Sequence, residues 1–91
     1  MPYIFPERRA IIQDSDFNKD VLRDGDINFL VTQLVDGYIQ ARGLSYNTLN
    51  TMIGVLECAK LELYRRLVGP YEDLKIQQNG DVYSEKLTAL L

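Results

Sequence analysis

Three side chains in the second half of the sequence have types and spacings that suit joint chemistry. Glu57, Lys60 and Tyr64 follow one another at intervals of three and four residues, so they are neighbours on one side of a helix. Lys60 falls between Leu56 and Leu63 on an apolar face, where a charge is unfavourable unless it is paired or near water. This placement makes Lys60 the first candidate for a functional residue.

Two interpretations of Lys60 stay open at the level of the sequence. In the structural interpretation, Lys60 forms a partly buried ion pair with Glu57, capped by Tyr64, or extends its methylene stem past its neighbours to water. In the functional interpretation, the same three side chains line a pocket or a contact between subunits. The folded position of these side chains distinguishes the two.

Arginines and a second tyrosine extend the functional interpretation. Arginine holds phosphate through paired hydrogen bonds, and a tyrosine ring stacks on a base. Glu62 lies three and four residues before Arg65 and Arg66, and it can pair with both on a helix surface. We also expect an arginine bridge to Glu72 across the end of this helix. The predicted ligand site is drawn from Glu57, Lys60, Tyr64, Arg65, Arg66, Tyr71, Arg8 and Arg9.

Catalytic chemistry has little support in the sequence. The chain has no histidine, so general acid–base work would fall to carboxylates, lysine or tyrosine. No serine or cysteine has a visible base partner, and Cys58 falls on the solvated side of its helix. The glycines are isolated, so they form no glycine-rich phosphate loop. We therefore predict that the protein is not an enzyme and uses no cofactor.

Metal binding is also not expected. The stretch DSDFNKD at 14–20 begins like a calcium loop, but Lys19 takes the sixth position, which needs glycine. Gly25 takes the twelfth position, which needs a bidentate glutamate. With one cysteine and no histidine, a zinc site is not expected either. Asp14 or Asp16 is instead expected to cap a short helix.

Two long helices are predicted to position these groups. The first begins at an Asp26 cap, runs to about Arg42 and stops at Gly43. The second begins at a Ser45 cap and stops at Gly69-Pro70, because proline disfavours helical geometry in the preceding residue. Its apolar residues recur at spacings of three and four, which indicates one packing face. The short link between the helices predicts an antiparallel pair.

Shorter helices are predicted at both ends of the chain. Pro6 suits the first position of an N-terminal helix, after an extended start. Pro70 suits the start of a third helix that ends near Asn79-Gly80. Residues 81–83 are expected to be extended, and Ser84 to cap a last helical turn. The predicted fold is all-α, with two main antiparallel helices and short helices at either end.

The composition limits the class of protein. A chain of 91 residues forms at most one small domain, 1–91, and its single cysteine excludes an internal disulfide. Self-association is the remaining source of support, so we expect a homo-oligomer. The net charge of −3 disfavours a binder of nucleic acid polymers. The sequence offers no membrane span or signal peptide, and it suits a reducing cytoplasm.

Two stretches carry a family resemblance. The first is the opening MPYI. The second is the segment 54–83, GVLECAKLELYRRLVGPYEDLKIQQNGDVY, which fits the motifs E-x-A-K-x-E-x-Y-R-R and PYE-x-x-K-I-x-x-N-G-D. On these motifs the chain resembles a widespread family of small tailed-phage proteins of unknown function. The matching residues of the longer segment are Glu57, Ala59, Lys60, Glu62, Tyr64, Arg65, Arg66, Pro70, Tyr71, Glu72, Lys75, Ile76, Asn79, Gly80 and Asp81.

The resemblance implies a phage origin, expression in the host bacterial cytoplasm and an accessory role. By analogy with small helical phage oligomers, we expect an anti-defence protein that sequesters a small nucleotide-derived immune signal as a homo-oligomer. The alternative is a protein–protein interaction module that inhibits or redirects a host or phage enzyme, such as a host defence protein. The sequence names neither the ligand nor the partner.

Overall fold

The computed structural model describes residues 3–14 and 22–91, and it contains helices but no strand within these residues. The all-α prediction is therefore confirmed. In chain order, the elements are α1 (Pro6–Asp14), α2 (Asp24–Arg42), α3 (Tyr46–Leu63), a π-helical segment (Tyr64–Val68), α4 (Gly69–Asn79) and α5 (Glu85–Thr88).

The chain divides into two compact units, Met1–Met52 and Ile53–Leu91. The first unit contains α1 and α2, which pack against each other. Ile12 of α1 is only 2% exposed, and it is the one buried apolar side chain among the described residues. The predicted antiparallel pair of main helices and the predicted oligomer stay predictions.

Helix α2 begins three residues earlier than expected. Arg23 occupies the N-cap position, and Asp26 lies in the first turn, where its Oδ2 accepts the Arg23 amide at 2.9 Å. The prediction that Asp26 is the N-cap is therefore wrong, because a carboxylate inside the first turn reaches back to the cap amide. The predicted end at Gly43 is confirmed: its φ is 93° and its amide donates to the carbonyl of Ile39.

The predicted start of α3 is confirmed. Ser45 Oγ accepts the amide of Thr48 at 3.1 Å and lies 3.0 Å from the Thr48 hydroxyl oxygen. This side-chain acceptor satisfies one of the amides that a first helical turn leaves without a carbonyl partner. Thr48 is buried as a result of this packing at the cap, with 7% of its surface exposed.

The predicted break at Gly69-Pro70 is wrong, because the helix continues through it. Proline lacks an amide and crowds the carbonyl four residues earlier, so a regular α-helix cannot pass unchanged. The chain instead forms the π-helical segment, in which the amide of Gly69 donates to the carbonyl of Tyr64, five residues back. This wider turn lets α4 begin directly, with Pro70 in its first turn.

The end of α4 follows the prediction and the segment after it does not. Gly80 ends the helix with φ 86°, a conformation that favours glycine. Residues 81–83 bend rather than extend, because Asp81 Oδ1 accepts the amide of Tyr83 at 3.0 Å. Ser84 precedes α5 as predicted, but its side chain makes no capping hydrogen bond.

The calcium-loop stretch and the short helix predicted beside it lie largely outside the described residues, since residues 15–21 are not part of them. Among the described residues, no cluster of three or more cysteine, aspartate or glutamate side chains is placed to hold a metal ion. Within the same residues, every helix is too short or too polar to cross a membrane.

Candidate functional site

Exposed apolar side chains recur along the second unit from α3, through the π-helical segment, into α4, at intervals of three, four or seven residues. We call this set the exposed stripe. Its members are between 39% and 68% exposed, and none of residues 53–91 is buried. Large apolar patches of this kind are uncommon on monomeric proteins and mark interaction sites. The exposed stripe consists of Ile53, Leu56, Leu63, Leu67, Tyr71 and Leu74.

Lys60 lies within this stripe and pairs with Glu57 on the preceding turn. Its Nζ lies 3.2 Å from Glu57 Oε2, and the two side chains are 61% and 53% exposed. The pairing of the structural interpretation is present, and the partial burial that it included is not, since both side chains are more than half exposed. An exposed pair of this kind contributes about 0.5 kcal/mol or less to helix stability.

The two tyrosines of the predicted site are half exposed and play different local roles. Tyr64 begins the π-helical segment, and its carbonyl accepts the amide that defines the wide turn. Its side chain is 55% exposed. Tyr71 lies in α4, 59% exposed, with Lys75 Nζ 5.5 Å from its ring centroid. This distance allows a weak cation–π contact.

The two arginines of the second unit pair with Glu62 rather than with Glu72. Arg66 Nη1 lies 3.5 Å from Glu62 Oε1, and Arg65 Nη1 lies 3.9 Å from Glu62 Oε2. The predicted arginine–Glu72 bridge is wrong, because it was meant to span a helix break and the helix does not break here. The Glu62 pairs are surface contacts, with the three side chains 58–78% exposed.

The first unit holds the strongest polar contact of the described residues. Arg8 of α1 donates to the carboxylate of Asp26, with Nη2 2.8 Å from Oδ2. Asp26 is 1% exposed, whereas the Arg8 side chain is 30% exposed. The hydrogen bond from Arg8, together with the Arg23 amide, lowers the pKa of Asp26 below its ordinary value of 3.8, although desolvation opposes this shift.

Arg9 is held by different groups. Its Nε donates to the carbonyl of Ile4 at 2.8 Å, and its guanidinium carbon lies 5.7 Å from the centroid of the Phe29 ring. These contacts fix the segment before α1 against α2. The contact with Phe29 joins residues twenty positions apart, so sequence spacing did not indicate it.

A cavity of about 280 Å³ opens beside the Arg8–Asp26 pair. Its wall combines arginine with aromatic and aliphatic side chains, and Tyr3 and Phe5 are 80% and 82% exposed. A further cavity of about 150 Å³ is lined by Tyr3, Arg9, Phe29 and Thr32. The larger one is lined by Tyr3, Ile4, Phe5, Arg8, Arg23, Gly25 and Asp26.

The eight predicted site residues therefore fall into two groups. Arg8 and Arg9 belong to the first unit and line these two cavities. Glu57, Lys60, Tyr64, Arg65, Arg66 and Tyr71 belong to the second unit, on or beside the exposed stripe. A second cavity of about 280 Å³ lies at the end of α4, lined by Glu72, Lys75, Ile76, Asn79, Gly80, Asp81, Val82 and Tyr83. A role for the eight residues in ligand binding stays a prediction.

Sequence reasoning missed several residues of the first cavity. Phe5 and Arg23 belong to no motif, Tyr3 entered only as part of the MPYI opening, and Asp26 was interpreted only as a helix cap. The one available signal was the charge of Asp26 close to an apolar helix, since a buried carboxylate needs a cationic partner. The identity of that partner depends on how α1 packs on α2.

Comparison with known protein families gives one match. The profile of a family described as a domain of unknown function (DUF6899) matches residues 1–82. The chain belongs to this family. The DUF6899 match includes the residues of the first cavity and the whole exposed stripe. Searches of curated proteins and of solved structures for relatives of this DUF6899 chain gave no match.

Proposed function

We propose that this DUF6899 protein is a protein-interaction module that works through the exposed stripe. The single observation that carries the proposal is the exposure of six large apolar side chains along one continuous helical stretch, between 39% and 68% each. A helix that presents apolar side chains to solvent in this way typically lays them against a complementary helix or groove. The stripe contains no buried acid, base or nucleophile, so binding suits it better than catalysis.

The energetics favour binding through these side chains. Each stripe residue already has roughly half of its surface covered in the folded chain. Burial of the remainder contributes roughly 1 kcal/mol per residue, since full burial of a large apolar side chain contributes about 1.5–3 kcal/mol. The sum over the stripe is large enough to offset much of the entropy lost on association. The flanking ion pairs then select the partner and its orientation.

The biological setting of the proposal comes from the sequence resemblance. We propose that the protein is a phage accessory protein, made in the host bacterial cytoplasm, that acts against host defence. In that setting, the module inhibits or redirects a host or phage enzyme. Its motif-bearing segment, 54–83, contains most of the exposed stripe, which supports the link between the resemblance and this surface.

Site-specific photo-crosslinking tests the proposed surface. A photoreactive amino acid replaces Leu67 on the stripe or, as the matched control, Cys58, which is also exposed but lies on another side of the same helical stretch. Irradiation of expressing cells should give a discrete adduct from position 67 and none from position 58. Mass spectrometry of the adduct identifies the partner. Absence of any adduct at position 67, or equal labelling from both positions, would contradict the proposal.

A second function, capture of a small ligand, is favoured by the cavity of the first unit. Arg23 and Arg8 supply positive charge there, and Tyr3 and Phe5 supply aromatic surface. This combination suits a phosphate-bearing compound with a flat ring, such as a nucleotide-derived immune signal. Because Arg8 is engaged by Asp26, Arg23 is the better candidate to contact the phosphate.

Thermal unfolding with and without ligand tests this second function. Cyclic nucleotides and ADP-ribose derivatives should raise the melting temperature of the wild-type protein and leave that of Arg23→Ala unchanged. Arg42→Ala is the control, because Arg42 is an exposed arginine at the far end of α2, over the Tyr38 ring. The proposal is wrong if no compound of these classes stabilises the wild type, or if both variants respond alike.

A further inference from the structure

We propose that the first cavity, which Arg23 lines, and the smaller cavity, which Arg9 lines, are two subsites for one ligand. That ligand is a dinucleotide-type compound with two flat rings and two phosphate groups. The inference rests on the second proposed function, capture of a small ligand at the first cavity, and it names the class of that ligand. The observation that carries it is that the two cavities repeat the same chemical groups and share Tyr3.

Tyr3 joins the two cavities. It lines both of them, and it is 80% exposed, so a ligand can reach it from solvent. Each cavity adds an aromatic ring of its own, Phe5 in the first cavity and Phe29 in the smaller one. A nucleobase stacks readily on an aromatic side chain. Because one residue belongs to both walls, a single compact compound with two such rings can contact both cavities.

Each cavity also retains the charge of one arginine. Asp26 lines the first cavity and is neutralised by Arg8, as described above. Among the described residues, no carboxylate lies within ion-pair distance of Arg9 or of Arg23. One positive charge therefore remains in each cavity, although the chain as a whole has a net charge of −3. A ligand with two anionic groups matches this distribution of charge.

The guanidinium of Arg9 is already held in place for such a ligand. Its Nε donates to the Ile4 carbonyl at 2.8 Å, and its central carbon lies 5.7 Å from the centroid of the Phe29 ring. Neither contact occupies the two terminal nitrogens, which can donate to phosphate oxygens. Because the side chain is ordered before a ligand arrives, less conformational entropy is lost on binding.

The volumes of the cavities favour one ligand across both. Small-molecule sites commonly have volumes of about 300–1,000 Å³. The first cavity, at about 280 Å³, and the smaller one, at about 150 Å³, are each below this range, whereas together they reach about 430 Å³. A mononucleotide would occupy one cavity and leave the arginine of the other without an anion.

Titration calorimetry with two adenine probes tests the two-subsite inference. AMP has one ring and one phosphate, and the linear dinucleotide pApA has two of each. The wild-type protein should bind pApA at least about tenfold more tightly than AMP, equivalent to about 1.4 kcal/mol. The gain is expected because pApA reaches the second arginine and stacks a second ring.

Thr32→Glu tests the smaller cavity by placing a carboxylate in its wall. Thr32 is exposed, and its hydroxyl donates to the Asn28 carbonyl of its own helix, so the substitution should leave the packing of α1 on α2 intact. The dissociation constant of pApA should rise about tenfold, toward that of AMP. The constant for AMP should not change, because the proposed function places AMP in the first cavity.

Two further variants control for the fold and for side-chain size. Thr51→Glu is the matched control, since Thr51 is also exposed and its hydroxyl donates to the Asn47 carbonyl four residues back. It should leave the dissociation constants of both probes unchanged. Thr32→Gln introduces a neutral side chain of the same size, so its effect on pApA should be smaller than that of Thr32→Glu. Circular dichroism verifies that each variant keeps its helices.

The outcomes separate this inference from the function on which it rests. Equal affinity of the wild type for AMP and pApA would overturn the second subsite and leave capture at the first cavity standing. So would equal losses for the two probes in Thr32→Glu, or a matching loss for pApA in Thr51→Glu. If neither the adenine probes nor GMP and pGpG bound, the proposed capture and this inference would both be wrong. Affinity that kept rising with the length of an oligoadenylate would indicate a nucleic acid polymer and would overturn the dinucleotide class.

Discussion

Arg8 donates hydrogen bonds to the carboxylate of Asp26, eighteen residues later in the sequence, and this contact joins α1 to α2. Nε of Arg8 donates to both carboxylate oxygens, at 3.2 and 3.1 Å, and Nη2 donates to Oδ2 at 2.8 Å. Asp26 also accepts the Arg23 amide. The buried carboxylate of Asp26 therefore stabilises the start of α2 and holds α1 against it.

This pair predicts that the first unit is sensitive to acid. Because the pKa of Asp26 is lowered in the folded chain, its stabilisation is fully present above the ordinary aspartate pKa and is lost as the pH falls through the lowered value. We expect the melting temperature to decrease as the pH drops below about 4. Asp26→Asn should make this decrease smaller. Thermal unfolding followed by circular dichroism measures it.

Asp24→Asn is the matched control for this prediction, since Asp24 is an exposed aspartate in the same first turn of α2. It should retain the acid sensitivity of the wild type. Identical pH profiles for the wild type and Asp26→Asn would show that the Arg8 contact does not contribute to stability.

Alanine substitutions at two glycines test how tightly the π-helical turn is packed. A Cβ on Gly69 would lie 3.3 Å from the Tyr64 carbonyl oxygen, whereas a Cβ on Gly54 would meet no atom within 4 Å. Gly54→Ala should raise the free energy of unfolding by about 0.5–1 kcal/mol, because alanine restricts the unfolded chain and favours helix. Gly69→Ala should give no such gain. Equal gains in chemical denaturation would contradict this packing.

Two serines at helix starts predict unequal effects of the same substitution. Ser45→Ala removes the acceptor for the Thr48 amide and should lower the free energy of unfolding by about 1 kcal/mol. Ser84→Ala removes no capping hydrogen bond and should change it by a few tenths at most. Urea unfolding of both variants measures the difference. A larger loss of unfolding free energy for Ser84→Ala than for Ser45→Ala would contradict the prediction.

Two glutamates predict unequal effects on helix stability. Glu62→Gln weakens exposed pairs with Arg65 and Arg66, so it should lower the melting temperature slightly. Glu72→Gln should leave the melting temperature unchanged, because both arginines pair with Glu62 instead. Thermal unfolding followed by circular dichroism measures both variants. A larger loss for Glu72→Gln would point to an internal arginine–Glu72 bridge.

The local signals in the sequence predicted the ends of elements well. Ser45, Gly43 and Gly80 each act through one hydrogen bond or one backbone angle within a few residues, so their effects can be derived from neighbouring residue types. The start of α1 at Pro6 belongs to the same class, because a proline at that position already has the helical φ and needs no amide partner.

The sequence did not predict the features that depend on more distant residues. The presence of Pro70 indicates that a regular α-helix cannot continue unchanged. It does not indicate whether the helix ends there or continues through a wider turn with one more residue. The Arg8–Asp26 contact depends on the packing of two helices. An apolar face around Lys60 suggests a cover, and periodicity alone does not say whether that cover comes from the same chain, so both interpretations of Lys60 stayed open.

The π-helical segment also gives the helix a tolerance to changes in length. A π turn holds one residue more than an α turn over the same rotation. If one residue were deleted from Tyr64–Val68 and Pro70 were replaced by alanine, the helix could close into ordinary turns and α4 would keep its rotation relative to the end of α3. The same deletion within α3 would rotate everything downstream by about 100°. This turn is therefore where the helix can gain or lose a residue without turning its two halves out of phase.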